Sequence, residues 1–486
     1  MADPAGVVLW AGAALVFGPL LGAVVVYLLP GRRFEARLCL ALSAAALVPL
    51  AGLSATVFVH GVQEFTFGGH ATPLGIAFSV DGLALAMLWL TGLVMFACHL
   101  YVTGWLPGES GFRAGEFRAL VLLLWGGLNA LFCSADLFNL YVTLEIVSLI
   151  GVALVVFARG AGALRAALRY LLFALTGSLF YLLGVALIYA DTGVLSFAEL
   201  RAAAPAGGTA AIALAAMTAG LAVKAALFPV HAWLPPAHAA APSPASALLS
   251  ALVAKAAAYL LIRLWLGPFA ALGGPGLLQG LGAVGLAGIV YASVQALRQT
   301  RLKGVIAYST VAQLGYFLLL LPMASLAAWQ GVAYHGLSHG LAKAALFLAA
   351  GNLIRVAGSD RLEDLGRAEP LLGSSLLAMA LAGVSLAGLP PSGGFVGKWW
   401  LIQAALESGQ WWWAAGIAAG GLLGAAYVFR VLRHALSNAP APAQPGTLTA
   451  GMVWSPVLLA VAAFVLGFTG NILAPLLAVG APGSGS

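Results

Sequence analysis

The chain has 486 residues, 62% of them hydrophobic and only 8% charged, a balance that no soluble domain of this length needs in order to bury its core. The composition therefore excludes a soluble protein and places the chain in a lipid bilayer as an integral membrane protein. The formal net charge of +7 is spread over short loops, so it speaks for orientation in the membrane and gives no reason to expect nucleic acid.

Segments of about 20 apolar residues, long enough to cross a hydrocarbon core of roughly 30 Å, predict an all-α polytopic fold. Fourteen spans can be read, at 5–29, 36–59, 74–103, 114–133, 136–158, 166–190, 210–230, 241–266, 276–296, 302–321, 326–355, 371–403, 411–434 and 451–478. The first segment lacks a basic leader and a cleavage site, so it reads as a retained span. Alternate loops carry the arginines, from Arg32, Arg33 and Arg37 through Arg113 and Arg118 to Arg430 and Arg433, whereas the opposite loops hold only Arg201 and Arg263. By the positive-inside rule both termini then face outward, in a prokaryotic inner membrane. The short loops imply one helical unit without a large soluble insertion.

Polar residues in the first three spans stand mainly near their ends, and Asp81 reads as a helix cap. Cys39, Cys98 and Cys133 are scattered singly through apolar segments, without the paired spacing of zinc, haem or iron–sulfur ligands, and read as buried small residues. The fifth span carries Glu145 at mid-membrane, the only acid so deep in any segment. Four of the five lysines, Lys224, Lys255, Lys343 and Lys398, also lie inside apolar segments, where a charge is costly unless paired, hydrated or neutralised. Arginine stays protonated nearly everywhere, but a desolvated lysine can gain and lose a proton. Unit charges about 6 Å apart at an effective dielectric near 20 interact by roughly 3 kcal/mol, or about two pKa units. Movement of Glu145 relative to Lys224 would therefore switch the lysine, and this pair is the expected gate.

Proline removes a backbone donor and frees the carbonyl one turn earlier. Pro229, five residues past Lys224, predicts a break in the seventh span, with freed backbone groups open to water or to Lys224. Pro390 and Pro391 predict a second break in the twelfth span, close to Lys398. Pro229 and Pro390 are 161 positions apart, and the fourth and ninth spans start 162 apart, which suggests a repeat of five spans. Because five is odd, the second copy is inverted, and inverted repeats with matching broken helices are the signature of a transporter with sites near the midplane. The expected divisions are 1–113 for a three-helix segment, 114–266 and 276–436 for the two repeats, and 437–486 for a last helix. The repeat is imperfect: the tenth span has no acid answering Glu145 and supplies Tyr308, Ser309 and Gln313 instead.

The eleventh span places His335, His339 and Lys343 four apart, on one helical face in steps of about 6 Å. A zinc-protease reading fails because residue 336 is glycine, not the general-base glutamate, and no third ligand is evident. Three ionisable groups on one face in lipid point instead to a proton or water wire, with the histidines exchanging near neutral pH. Glycines 416, 420 and 424 are a helix-packing signal. No phosphate loop, dinucleotide fingerprint or nucleophile triad occurs in a plausible context, so neither cofactor nor catalytic centre is expected.

In order along the chain, FNLYVTLEIVSLIG around Glu145, KAALFPVHAWLPPAHAAAPSPASALL from Lys224, Lys255 in the next span, LKGVIAYSTVAQLGY, HGLSHGLAKAALF and GLPPSGGFVGK ending at Lys398 resemble the antiporter-like subunits shared by respiratory complex I, Mrp-type cation/proton antiporters and membrane-bound hydrogenases. The resemblance implies a fourteen-helix core with two inverted repeats and a polar axis along the bilayer middle. It makes Glu145 and Lys224 the modulating pair, Lys255 a bridging site, His335, His339 and Lys343 the second-half connection and Lys398 the terminal proton site. It implies proton translocation coupled to redox chemistry or sodium exchange, and other membrane subunits as partners. Lysine at 398 and the end of the chain after the fourteenth span favour a D-type Mrp subunit, the smaller complex I antiporter-like subunit or a hydrogenase equivalent. The alternatives that the residues leave open are a stand-alone proton-linked symporter and a structural anchor of a redox complex.

Overall fold

The structure, a computed structural model, describes residues 4–29, 31–67, 70, 75–106, 114–371, 373–437 and 446–482. Within them thirteen helices are long and apolar enough to cross a bilayer, and one further crossing is divided in two. In chain order these are α1 (Ala5–Leu28), α2 (Arg33–His60), α3 (Gly82–Trp105), α4 (Ala114–Cys133), α5 (Leu137–Val156), α6 (Ala161–Thr192), α7a (Gly207–Lys224), α8 (Ser243–Trp265), α9 (Pro275–Arg298), α10 (Leu302–Met323), α11 (Leu326–Ala357), α13 (Trp411–Ala435) and α14 (Ala450–Phe468). The divided crossing is α12a (Gly373–Ala387) with α12b (Gly393–Glu407). A short α7b (Leu234–Ala240) follows α7a. The chain is an integral multi-pass membrane protein, and each crossing answers one of the apolar segments of the sequence.

The third crossing starts at Gly82 and not at 74. Its expected first residues instead form β2 (Ala77–Val80), paired antiparallel with β1 (Gln63–Thr66). Their alternation explains the error: Phe78 and Val80 turn inward while Ala77 and Ser79 stay half-exposed, a period of two that an average of hydropathy cannot see. The hairpin is pinned by Phe65, Phe67, Phe78 and Phe17, whose ring centroids lie 4.8 to 5.4 Å apart. Asp81 caps α3 as expected, accepting from the Ala84 N–H at 2.9 Å. Position 74, Arg113 and the terminal GSGS lie outside the described residues.

The internal repeat is written in the backbone. The Leu137 N–H donates to the Leu195 carbonyl and the Phe197 N–H to the Ala135 carbonyl; 165 positions on, Leu302 donates to Asp360 and Leu362 to Thr300. Helices α6 and α11 have 32 residues each, begin at Ala161 and Leu326, again 165 apart, and both end on a left-handed glycine, Gly193 and Gly358. The prolines give 161 because the two breaks differ in length, running from 225 to 233 in one half and from 388 to 392 in the other.

Without a hydrophobic force between helices in lipid, close packing has to come from small residues. Gly177 and Gly184 of α6 lie against the carbonyls of Gly220 and Ala213 on α7a, where a Cβ would approach to 2.8 and 2.6 Å. That contact brings the end of α7a, with Lys224, against the middle of α5 and α6. Gly416 and Gly420 likewise admit Leu286 and Ile289 of α9, as their spacing predicts. Cys39, Cys98 and Cys133 are free and buried.

Candidate functional site

In the first half, α7a stops at Lys224 and the side chain turns into the bundle. Its Nζ donates to Glu145 Oε1 at 2.7 Å and to Ser148 Oγ at 2.9 Å. Ser178 of α6 donates to the same carboxylate oxygen. The pair expected from sequence is thus made, with the lysine side chain 4% exposed and the glutamate 18%. The backbone freed by the break is not used as anticipated. The Val223 carbonyl accepts from the Ala226 N–H at 3.1 Å and from the Trp233 indole at 2.8 Å, and that indole stacks on Tyr170 with centroids 4.1 Å apart, so Lys224 is left to the carboxylate and the serine.

Lys255 lies beyond a π-helical turn at Leu249–Val253, a widening of the kind often found at functional positions. Its Nζ donates to the Ser250 carbonyl at 3.0 Å. The Ser250 hydroxyl meets Thr310 Oγ1 at 2.8 Å, Thr310 donates to the Ile306 carbonyl at 3.1 Å, and that carbonyl also accepts from Lys343 Nζ at 2.8 Å. Lys343 further donates to Ser309. Two buried ammonium groups are therefore linked through two hydroxyls and two carbonyls.

One and two turns back along α11, His339 and His335 stack with centroids 5.6 Å apart. His339 lies within electrostatic reach of Lys255, Lys343 and Lys398. His335 donates from Nε2 to the Gln313 carbonyl at 3.2 Å, its Nδ1 without a hydrogen-bond partner among the described residues, and stands 4.9 Å from the Tyr316 ring. Over that same ring, 4.9 Å from its centroid, sits Lys398 Nζ. Lys398 donates to the Leu386 and Ala387 carbonyls at 2.9 and 3.1 Å, the groups that Pro390 and Pro391 leave without an amide partner. Lys255, Lys343, Lys398, His335 and His339 are all buried. They form a line across the second half and into the first. No hydrogen bond among the described residues joins that line to the Glu145–Lys224 pair.

Sequence reading missed Ser148, Ser178, Ser250, Thr310 and Tyr316. Serine and threonine are ordinary in tightly packed membrane helices, so their type alone carries no signal. The repeat holds one: Thr310 stands 165 positions after Glu145 and Lys343 165 after Ser178. In the second half, then, a threonine replaces the carboxylate and a lysine replaces the serine that bound it.

Residues 134–424 match the model of the family described as NADH:quinone oxidoreductase/Mrp antiporter, transmembrane. The chain belongs to this family. Among its members, the N subunit of the NADH-quinone oxidoreductase of Desulforudis audaxviator (strain MP104C) is 37% identical over 90% of this chain and 87% of the relative. A D-type subunit of the Na(+)/H(+) antiporter of Bacillus subtilis (strain 168) is 28% identical over 86% of this chain and 85% of the relative. A chain of the Mrp complex from Dietzia sp. DQ12-45-1b superposes with a TM-score of 0.89 at 26% identity, covering 99% of this chain and 97% of that one. A chain of the membrane-bound sulfane sulfur reductase, an archaeal respiratory membrane complex, gives 0.87 at 27% identity, covering 97% and 96%. The sequence resemblance thus holds over nearly the whole length.

Proposed function

We propose that this chain is a proton-translocating membrane subunit of a complex I-like or Mrp-type cation/proton antiporter assembly. Protons move along Lys398, His335, His339, Lys343 and Lys255, and the Glu145–Lys224 pair controls whether Lys224 hands on its charge. The observation that carries this reading is the buried hydrogen-bonded link from Lys255 through Ser250, Thr310 and Ile306 to Lys343. Ammonium groups held only by hydroxyls and carbonyls are neutralised at small structural cost, because those partners remain satisfied or reorient when a proton leaves. The family relatives named for quinone oxidoreduction, sodium/proton antiport and sulfane sulfur reduction all belong to assemblies, so further membrane subunits are the partners, with protons and, in an Mrp-type assembly, sodium as the ions moved. The arginine-rich loops support a prokaryotic inner membrane with both termini on the outer side.

The test is proton pumping by the assembled complex in proteoliposomes. Lys343→Met and Lys255→Met are expected to abolish it with subunit composition unchanged, and full pumping by both variants sinks the reading.

A further inference from the structure

On the face of the bundle that holds Arg201 and Arg263, a cavity of about 590 Å³ opens between the β-hairpin, the start of α3, the outer ends of α8 and α11 and residues 480–482. Its wall includes Glu64, Asp81, Arg201, Tyr259 and Arg263. Arg263, an orientation charge by its place in the sequence, is instead paired with Asp81, one guanidinium nitrogen lying 2.5 Å from Oδ1 and a second hydrogen bond completing a bidentate contact. The arginine side chain is 16% exposed and the aspartate 7%.

Three side chains on one helix lead from this cavity to the midline. Lys255, Tyr259 and Arg263 are four apart on α8, so they share a face in steps of about 6 Å. The Tyr259 hydroxyl donates to the Phe132 carbonyl at 2.9 Å and its ring lies under the guanidinium, 4.8 Å from ring centroid to Arg263 Cζ. Arg263 also faces Trp329, the first aromatic side chain of α11, at 5.8 Å. The helix bearing the bridging lysine and the one bearing the histidines thus end at the same polar cavity.

We propose that this vestibule is the outer mouth of the proton path, reached from Lys255 through Tyr259 and latched by the Arg263–Asp81 pair. The Lys255 ammonium gives a proton to an intervening water. The Tyr259 oxygen receives a proton as its own O–H is released outward, and the Asp81 carboxylate, freed from Arg263, takes that proton and returns it to vestibule water. Lys255 is left as a neutral amine and takes a proton back from the Lys343 ammonium through water beside the Thr310 and Ser250 hydroxyls, because the carbonyls that hold the two lysines accept hydrogen bonds but carry no proton. No electrons move. While Arg263 holds Asp81, the acceptor is occupied and the mouth is shut.

The proposal rests on the reading of Lys255 as a proton carrier, and one set of proteoliposome measurements on the assembled complex separates the two. Lys255→Met is the control for that reading. Tyr259→Phe keeps the ring beneath Arg263 but removes the hydroxyl, and is expected to slow pumping by about tenfold or more. Asp81→Asn still caps α3 and is expected to slow it comparably. Ser79→Cys, on the vestibule wall, is expected to react from the outside with a membrane-impermeant maleimide and to lose pumping on labelling. If Lys255→Met is inactive while Tyr259→Phe and Asp81→Asn pump at the wild-type rate, the outer mouth is elsewhere and the proton-carrier reading stands. Failure of the maleimide to react at Ser79→Cys, or labelling without loss of pumping, overturns the proposal equally.

Discussion

The two halves hold their lysines differently. In the first, Lys224 is locked to a carboxylate at 2.7 Å and to Ser148. In the second, Lys343 and Lys398 rest on carbonyls and a serine hydroxyl, with no ion pair to either among the described residues. A carboxylate stabilises the ammonium specifically, whereas neutral acceptors solvate it and let it go. On the proposed reading, Lys224 holds a charge until something moves, while Lys343 and Lys398, together with Lys255 of the first half, itself held by the Ser250 carbonyl, pass charges on.

The most severe way to break this contrast is to make the second half resemble the first. Thr310→Glu places a carboxylate at the repeat position of Glu145, on the residue that links Ser250 to the Ile306 carbonyl used by Lys343. Opposite charges about 4 Å apart at an effective dielectric near 20 attract by about 4 kcal/mol, so the relay is expected to stall on the order of 100-fold or more in pumping assays while the complex still assembles. Conversely, Glu145→Gln leaves Lys224 buried without its counter-charge. Loss of one partner of a buried pair costs about 3 kcal/mol, to be read as a lower melting temperature of the detergent-purified complex, and Glu145→Gln combined with Lys224→Met is expected to recover most of it. Lys398→Met sharpens the comparison from the other side: it strands no charge, only the Leu386 and Ala387 carbonyls, so it should lower melting less than Glu145→Gln does while pumping is lost. The smallest effect is expected from Trp233→Phe, which keeps the stack on Tyr170 and removes the indole bond to the Val223 carbonyl, an oxygen that still accepts from the Ala226 N–H at 3.1 Å. One lost hydrogen bond of about 1 kcal/mol should register in melting, with pumping unchanged.

Much of the site was legible because lipid makes charge conspicuous. Glu145 and the four membrane lysines stand out by residue type alone, and the spacing of His335, His339 and Lys343 fixes them to one face of α11. The hydroxyls that connect them did not stand out. Ser250 and Thr310 reach each other only because the π-helical turn of α8 and the middle of α10 meet. Arg263 looked like a loop charge because its partner, Asp81, is 182 positions away.

Composition, apolar segment length and proline placement were enough to settle the crossings, the two broken helices and the inventory of buried ionisable groups, since each follows from the cost of exposing backbone or charge to hydrocarbon. Which groups meet was decided only by packing. The glycine contacts of α6 with α7a bring Lys224 to Glu145, the repeat puts a threonine where that acid would be, and the ends of α8 and α11 converge on one cavity. Such contacts join residues far apart in the chain, and a local pattern of hydrophobicity holds no information about them.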